Sequence, residues 1–368
     1  MAQSFTRAFD QVIALAPEMV LIGGDVFHQV RPTNTAILHA YLQFARLRQA
    51  LPHTEIVMVA GNHDTPRSAE TGSILRLFAT LGVHVIDGEA RALEFPSLDL
   101  SVLAVADNQH ARPRLVPAGT HRYNVLLLHG EVEGMAGPFS AMHESTSQEI
   151  PQDALHPAQW DYIALGHYHV YRRIAANQFY SGSLDYTSTN AWGERMEESL
   201  AGVPGKGFIE HDLATGLHTF HRVAPSREFV DLPVLSARGL TTEEVNARIA
   251  AVVEDFAGGI DDKVVRLVVK DMPRHISRQL DHRLLREYRR RALHFHLDTR
   301  RPEIIRASGH GAPGRRPSLA DFVRDKLRER LVASDVDRDA LVELGLHYLR
   351  DAEERESATS PSTAGVDG

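Results

Sequence analysis

Four polar clusters, each directly behind a short apolar, β-branched run, constrain this chain more than any other feature. Met19 to Ile22 leads into Gly23-Gly24-Asp25-Val26-Phe27-His28, and Ile56 to Val59 into Ala60-Gly61-Asn62-His63-Asp64. Val125 to Leu128 ends in His129-Gly130, and Tyr162 to Leu165 in Gly166-His167-Tyr168-His169. Runs of this length and composition predict buried strands. The reactive side chains therefore belong at strand ends, where open α/β sheets place their ligands.

Taken singly, most of these blocks have a plainer explanation. Gly-Asp and Asn-His-Asp also serve ordinary turns, in which Gly supplies a positive φ and Asn or Asp bonds its own backbone. A histidine after four apolar residues is also a common strand end. Gly-His-x-His is harder to explain that way, since its imidazoles share a face in a strand and converge in a tight loop. All four blocks in this order read as one site. Carboxylate, amide carbonyl and imidazole suit divalent Mn or Zn, and two such ions can clamp an in-line attack on phosphorus.

The order GD-x-x-H, GNHD, a strand ending in His, then GHxH resembles the calcineurin-like metallophosphoesterases over most of residues 1–210. Within them it resembles the DNA double-strand-break repair nucleases, the branch represented in bacteria by SbcD. Three features point to that branch: His28 three residues after Asp25, Arg31-Pro32-Thr33 behind it, and Tyr180 to Ser188 followed by Gly205-Lys206-Gly207-Phe208. The last pair is similar to the family's "YPGS…TS…KGF" segment.

The resemblance implies roles at the matching positions. Asp25 bridges two divalent ions, most simply Mn2+. Asn62, His129 and His167 complete one site, and His169 serves the other. His63 is the general acid or transition-state stabiliser, Asp64 orients it, and His28 helps place the scissile phosphate. The nucleophile implied is a metal-activated water. One departure stands out, because members open with a strand ending in Asp-x-His and no such motif precedes Asp25. Either the start was placed too late or this is a shortened form, and the intact downstream ligands favour the first. Two other readings stay open: a phosphoesterase acting on small substrates, and a non-catalytic scaffold.

The chain of 368 residues has no cysteine, which excludes disulfides and thiolate metal sites and leaves its 21 histidines and its carboxylates as candidate ligands. It has no apolar run of membrane-spanning length and no leader pattern, so a cytoplasmic location is expected. The formal charge of -8 is unevenly spread. Glu131 to Asp161 holds six acidic residues and no Lys or Arg, whereas Arg274 to Arg330 holds sixteen basic against seven acidic. Arg289-Arg290-Arg291, with Arg300-Arg301 and Arg315-Arg316, can track a phosphate backbone, or can form a solvated helix face. Arg31 is a further candidate contact to DNA.

The pattern predicts an α/β fold: a layered β-sheet sandwich flanked by helices, with a small α+β capping domain and C-terminal helices. Residues 1–222 form the phosphoesterase domain, with helices over Ser4 to Ala16, Thr35 to Leu51 and Thr71 to Leu81. Residues 223–308 form the cap, with a helix over Thr241 to Phe256 and a strand over Val264 to Lys270. In 309–355 a Gly/Pro/Arg linker leads to two helices. Ser318 to Asp321 resembles a capping box, and the apolar stripes are Leu319, Phe322, Val323, Leu327, Leu331 and then Leu341, Leu344, Tyr348, Leu349. Residues 356–368 are expected to be disordered. The resemblance implies DNA ends and hairpins as substrate, an SbcC-like ABC-type ATPase docked on the C-terminal helices, and a homodimer.

Overall fold

The computed structural model describes residues 1–66, 72–107, 114–117, 119, 121–135, 149–188, 190–302, 319–329 and 337–359. The chain divides into two compact units, Met1–Arg301 and Pro302–Gly368.

The first unit is built on two sheets. Strands β1 (Met19–Ile22), β2 (Glu55–Val59) and β3 (His84–Ile86) form a parallel three-stranded sheet with β2 central. Strands β4 (Arg91–Phe95), β5 (Leu100–Val105), β6 (Tyr123–His129), β7 (Tyr162–Gly166), β8 (Arg172–Ala175) and β9 (Gln178–Tyr180) form a second sheet in the order β4-β5-β6-β7-β9-β8. Its inner pairs are parallel and its two outer pairs antiparallel. Ile56, Val57, Met58 and Val59 are fully buried, and so is the Leu126–Leu128 run to within 2%. Strands buried on both faces explain why the apolar runs are continuous rather than alternating.

Helices α1 (Ala2–Leu15) and α2 (Asn34–Ala50) pack on this core through aromatic contacts. Phe9 and Phe44 meet edge to face at 5.0 Å, and Phe44 and Phe78 lie 4.7 Å apart. Thr33 caps α2 by accepting a bond from the Ala36 amide. The helix expected to end at Leu81 is a 3-10 helix, Ile74–Leu81, closed by Gly82 at φ 73°. After β9 come helix α3 (Ala191–Ala201) and the antiparallel pair β10 (Gly207–His211) and β11 (His218–Arg222).

Residues from β12 (Phe229–Asp231) onward have their own core. Strands β12 and β13 (Leu235–Ser236) pair successively with one edge of β14 (Val264–Lys270), and β15 (His294–Thr299) pairs with the other, all in parallel. Helices α4 (Thr242–Glu254), α5 (Arg274–Arg278) and α6 (His282–Arg291) connect them. Helix α4 opens on a complete capping box between Thr241 and Glu244.

In the second unit, α7 (Leu319–Glu329) and α8 (Arg338–Thr359) form a helical pair. A Cβ on Gly345 would run into the Leu327 side chain, and Val342 is buried. Helix α8 continues four residues past Arg355, where order is expected to end, because Ala352 to Ala358 is rich in helix-forming Glu, Arg and Ala. Ser318, Leu331, the 309–317 linker with Arg315 and Arg316, and 360–368 lie outside the described residues. Among the described residues no helix is long and apolar enough to cross a membrane.

Candidate metal centre

The carboxyl ends of β1, β2, β6 and β7 meet where the two sheets adjoin. Gly23 follows β1 and Gly166 ends β7. Their backbones lie so close that a Cβ on Gly166 would overlap the Gly23 carbonyl oxygen. Gly61 is equally constrained, since a Cβ there would strike Asp25 Oδ1 and the His129 ring. Backbone bonds tie the loops together: the Asp107 amide donates to the Ala60 carbonyl at 2.9 Å, and Gly130 N–H to Gly166 O at 3.3 Å.

His129 is 3% exposed and its Nδ1 lies 2.6 Å from the Gly23 carbonyl. A carbonyl only accepts, so Nδ1 carries the proton and Nε2 is the lone-pair nitrogen. That Nε2 faces Asn62 Oδ1 at 3.1 Å and Asp25 Oδ2 at 3.4 Å. His167 Nδ1 stands 3.4 Å from the same Asn62 oxygen. With a neutral His129 ring, three lone-pair atoms, an imidazole nitrogen, an amide oxygen and a carboxylate oxygen, converge here. This is a donor set for a divalent cation, and the residues fit one. Among the described residues no three His, Cys, Asp or Glu side chains form such a group by themselves. The convergence counts Asn62 as a member.

Backbone strain accompanies this arrangement. Asp25 sits at φ 51° and His167 at φ 114°. Asp25 also accepts a bond from the His63 amide at 3.0 Å, which joins the first cluster to the second.

His63 and His28 stack with ring centroids 5.1 Å apart. His63 Nδ1 donates to the His28 carbonyl at 3.0 Å, so its Nε2 is the nitrogen that can exchange a proton with a substrate. Asp64 meets backbone amides rather than the His63 ring. Asp64 is fully buried, and its oxygens accept from the amides of Val26, Phe27 and Gly61 at 3.1, 3.1 and 3.3 Å. It staples the two loops together, and the group bonded to the His63 ring is the His28 carbonyl. Burial, with a smaller contribution from the Asp25 charge, pushes the Asp64 carboxyl up to about 7 despite those amides.

The two histidines of Gly-His-x-His diverge. His167 turns towards Asn62, whereas His169 Nδ1 meets Glu194 Oε1 of α3 at 2.9 Å. Burial would raise Glu194, but the His169 bond and the Lys206 ammonium outweigh it and hold the carboxyl at about 2.

Sequence reasoning missed Glu194, gave Lys206 no role, and overlooked Asp107. The signal for Glu194 was available in Glu194, Glu197 and Glu198, which share one face of a helix capped by Asn190. Asp107 is 8% exposed, and burial raises its carboxyl. Behind the site, the Tyr180 hydroxyl donates to the Gly130 carbonyl and accepts from the Val132 amide, which fixes the turn after His129.

Arg31 is exposed just after the first cluster, and Arg289 and Arg290 are exposed on α6. Arg291 is engaged by Glu254 and Asp261, which hold its guanidinium on the surface.

The model of the family described as calcineurin-like phosphoesterase matches residues 2–186. Two proteins named DNA double-strand break repair protein Mre11 are similar to this chain. The one from Methanocaldococcus jannaschii is 24% identical over 220 residues, covering 57% of this chain and 56% of that protein. The one from Methanococcus maripaludis is 24% identical over 230 residues, covering 58% and 56%. The match thus spans little more than half the length of the relatives. Calcineurin-like phosphoesterases bind divalent metals, in keeping with the donor set at the sheet seam. The family match takes in both sheets and half of the chain, and this protein belongs to the calcineurin-like phosphoesterase family.

Proposed function

We propose that this protein is a metal-dependent nuclease of the SbcD-like branch, hydrolysing DNA phosphodiester bonds in double-strand-break repair. The observation that carries the metal-dependent reading is the convergence of His129 Nε2, Asn62 Oδ1 and Asp25 Oδ2. The names of the two Mre11 relatives support the substrate.

In this reading Asp25, Asn62, His129 and His167 hold one ion and His169, with Asp25, the other, Mn2+ in both cases. When bound, the ions supply Lewis acidity that activates water and neutralises charge developing on the phosphoryl oxygens. The chain does the rest. The His28 carbonyl holds the His63 ring by Nδ1–H, so that the protonated, imidazolium form can deliver its Nε2 proton to the leaving oxygen, and exposed His28 lines the approach. Asp64 keeps the first two clusters in register.

Residues 1–222 are the nuclease domain in this proposal. Residues 223–308 form a cap that contacts DNA through Arg289 and Arg290, with Arg31 on the nuclease side. Helices α7 and α8 dock on an SbcC-like ABC-type ATPase, and the protein works as a homodimer in the cytoplasm.

The test is hydrolysis of duplex DNA ends and of bis-p-nitrophenyl phosphate with and without Mn2+. Both are expected to be cut only with the ion. Cleavage of the small ester alone would overturn the DNA assignment, and metal binding without cleavage of either would favour a scaffold. His63→Ala is expected to keep its metal yet lose on the order of 10²-fold in turnover. Loss of metal from that variant would make His63 a ligand instead.

A further inference from the structure

Helix α3 carries three acidic side chains that the proposed reaction does not use, and all are buried: Glu194 at 3%, Glu197 at 8% and Glu198 at 4% exposure. Glu197 pairs with Arg172. Glu194 does something different. One of its oxygens lies 2.9 Å from His169 Nδ1 and the other 2.6 Å from Lys206 Nζ, itself 3% exposed. The same ammonium donates to the His169 carbonyl at 2.7 Å and stands 3.1 Å from Glu198 Oε1. Glu198 in turn accepts from the Tyr186 hydroxyl at 2.6 Å. One lysine therefore fixes both the backbone of His169 and the carboxylate on its ring.

Desolvating so many charges makes such a cluster a poor way to gain stability alone. Its geometric effect is specific, however. A carboxylate accepts but does not donate, so Nδ1 of His169 carries a proton, and in the neutral ring the lone pair then lies on Nε2. His129 reaches the same tautomer through the Gly23 carbonyl. We propose that Glu194, locked by Lys206, is a positioning residue that sets the tautomer and orientation of His169 so that Nε2 is presented to a divalent cation. This inference rests on the metal reading of the site. Carboxylates placed behind ligating imidazoles tune metal affinity about 10- to 100-fold.

The test reads the ring directly. In long-range ¹H–¹⁵N spectra of the full chain without metal, with His169 assigned by difference against His169→Asn, the wild type is expected to show protonated Nδ1 and bare Nε2. A wild-type Nε2–H tautomer would overturn the proposal without any further variant. Glu194→Leu is expected to shift the ring towards the Nε2–H form, and Glu194→Gln, which keeps an accepting oxygen, to retain the native tautomer. Titrating Mn2+ against broadening of the His169 resonance should show about 10- to 100-fold weaker binding in Glu194→Leu. A lower melting temperature with unchanged tautomer and Mn2+ response would reduce Glu194 to a structural role. Failure of the wild type to bind Mn2+ would instead count against the proposed function, while the tautomer measurement still decides the role of Glu194.

Discussion

The residues at the seam are held where the chain on its own would not put them. His167 at φ 114° and Asp25 at φ 51° lie in backbone regions that cost of order 1 to 3 kcal/mol for residues other than glycine. At Asp25 the Asp64 staple helps hold that conformation, through the amides of Val26 and Phe27 that follow it. That staple carries a pH signature. The Asp64 carboxyl loses its proton near 3.8 in an unfolded chain but near 7 in the fold, because burial disfavours its charge and Asp25 repels it. Between those values the native state keeps a proton that the unfolded state has released, so stability falls as pH rises from about 4 to about 7. Melting of the metal-free protein should show that decline, and Asp25→Asn should flatten it by removing the second cause. A melting temperature that rises across the window would mean that Asp64 is ionised throughout.

At the level of elements, the strands were the most legible part, because fully buried parallel strands write themselves as unbroken apolar runs. Val264–Lys270 is a strand as expected, and β1, β2, β6 and β7 lie under the runs that mark them. Local pattern fails where tertiary contact reverses the usual meaning of a residue. The Glu-Arg-Met-Glu-Glu stretch of α3 reads as a solvated face, yet its three glutamates are buried, because Lys206, Arg172 and Tyr186 arrive from elsewhere in the chain. Asp64 lies beside His63 in sequence, but its three amide partners come from two different loops. Nor does periodicity distinguish the 3-10 helix at Ile74–Leu81 from an α-helix. The tight approach of Gly23 and Gly166 is likewise invisible in sequence beyond the two glycines themselves. It yields a sharp expectation. Gly166→Ala must push β7 away from the Gly23 carbonyl, the same carbonyl that sets the His129 tautomer. Metal affinity should therefore drop while the far-UV circular dichroism stays native, and calorimetric titration with Mn2+ checks it. Native affinity in that variant would show that the seam is not what aligns His129.

Over the whole molecule, net charge is a poor guide to partners, since the exposed arginines Arg31, Arg289 and Arg290 coexist with a formal charge of -8. The second unit raises the partner question most directly. Its helices bury Val342 and bring Leu327 against Gly345, while Leu319, Leu344 and Tyr348 remain 58%, 51% and 65% exposed. Large apolar side chains left in water on a helical pair are a common mark of a docking face, and an amphipathic partner helix is the usual occupant. If that face serves an ATPase coiled coil, deleting residues 302–368 should abolish capture by an SbcC-like partner. The first unit, with its own cores, should then melt within about 2 °C of the intact protein, the shift that roughly 1 kcal/mol produces in a unit this large. If the helices instead support the first unit, the deletion removes buried apolar side chains worth roughly 1.5 to 3 kcal/mol each and the melting temperature falls well beyond that margin. A pull-down beside a melting curve of the truncated protein separates the two, and capture that survives the deletion rules out the docking role.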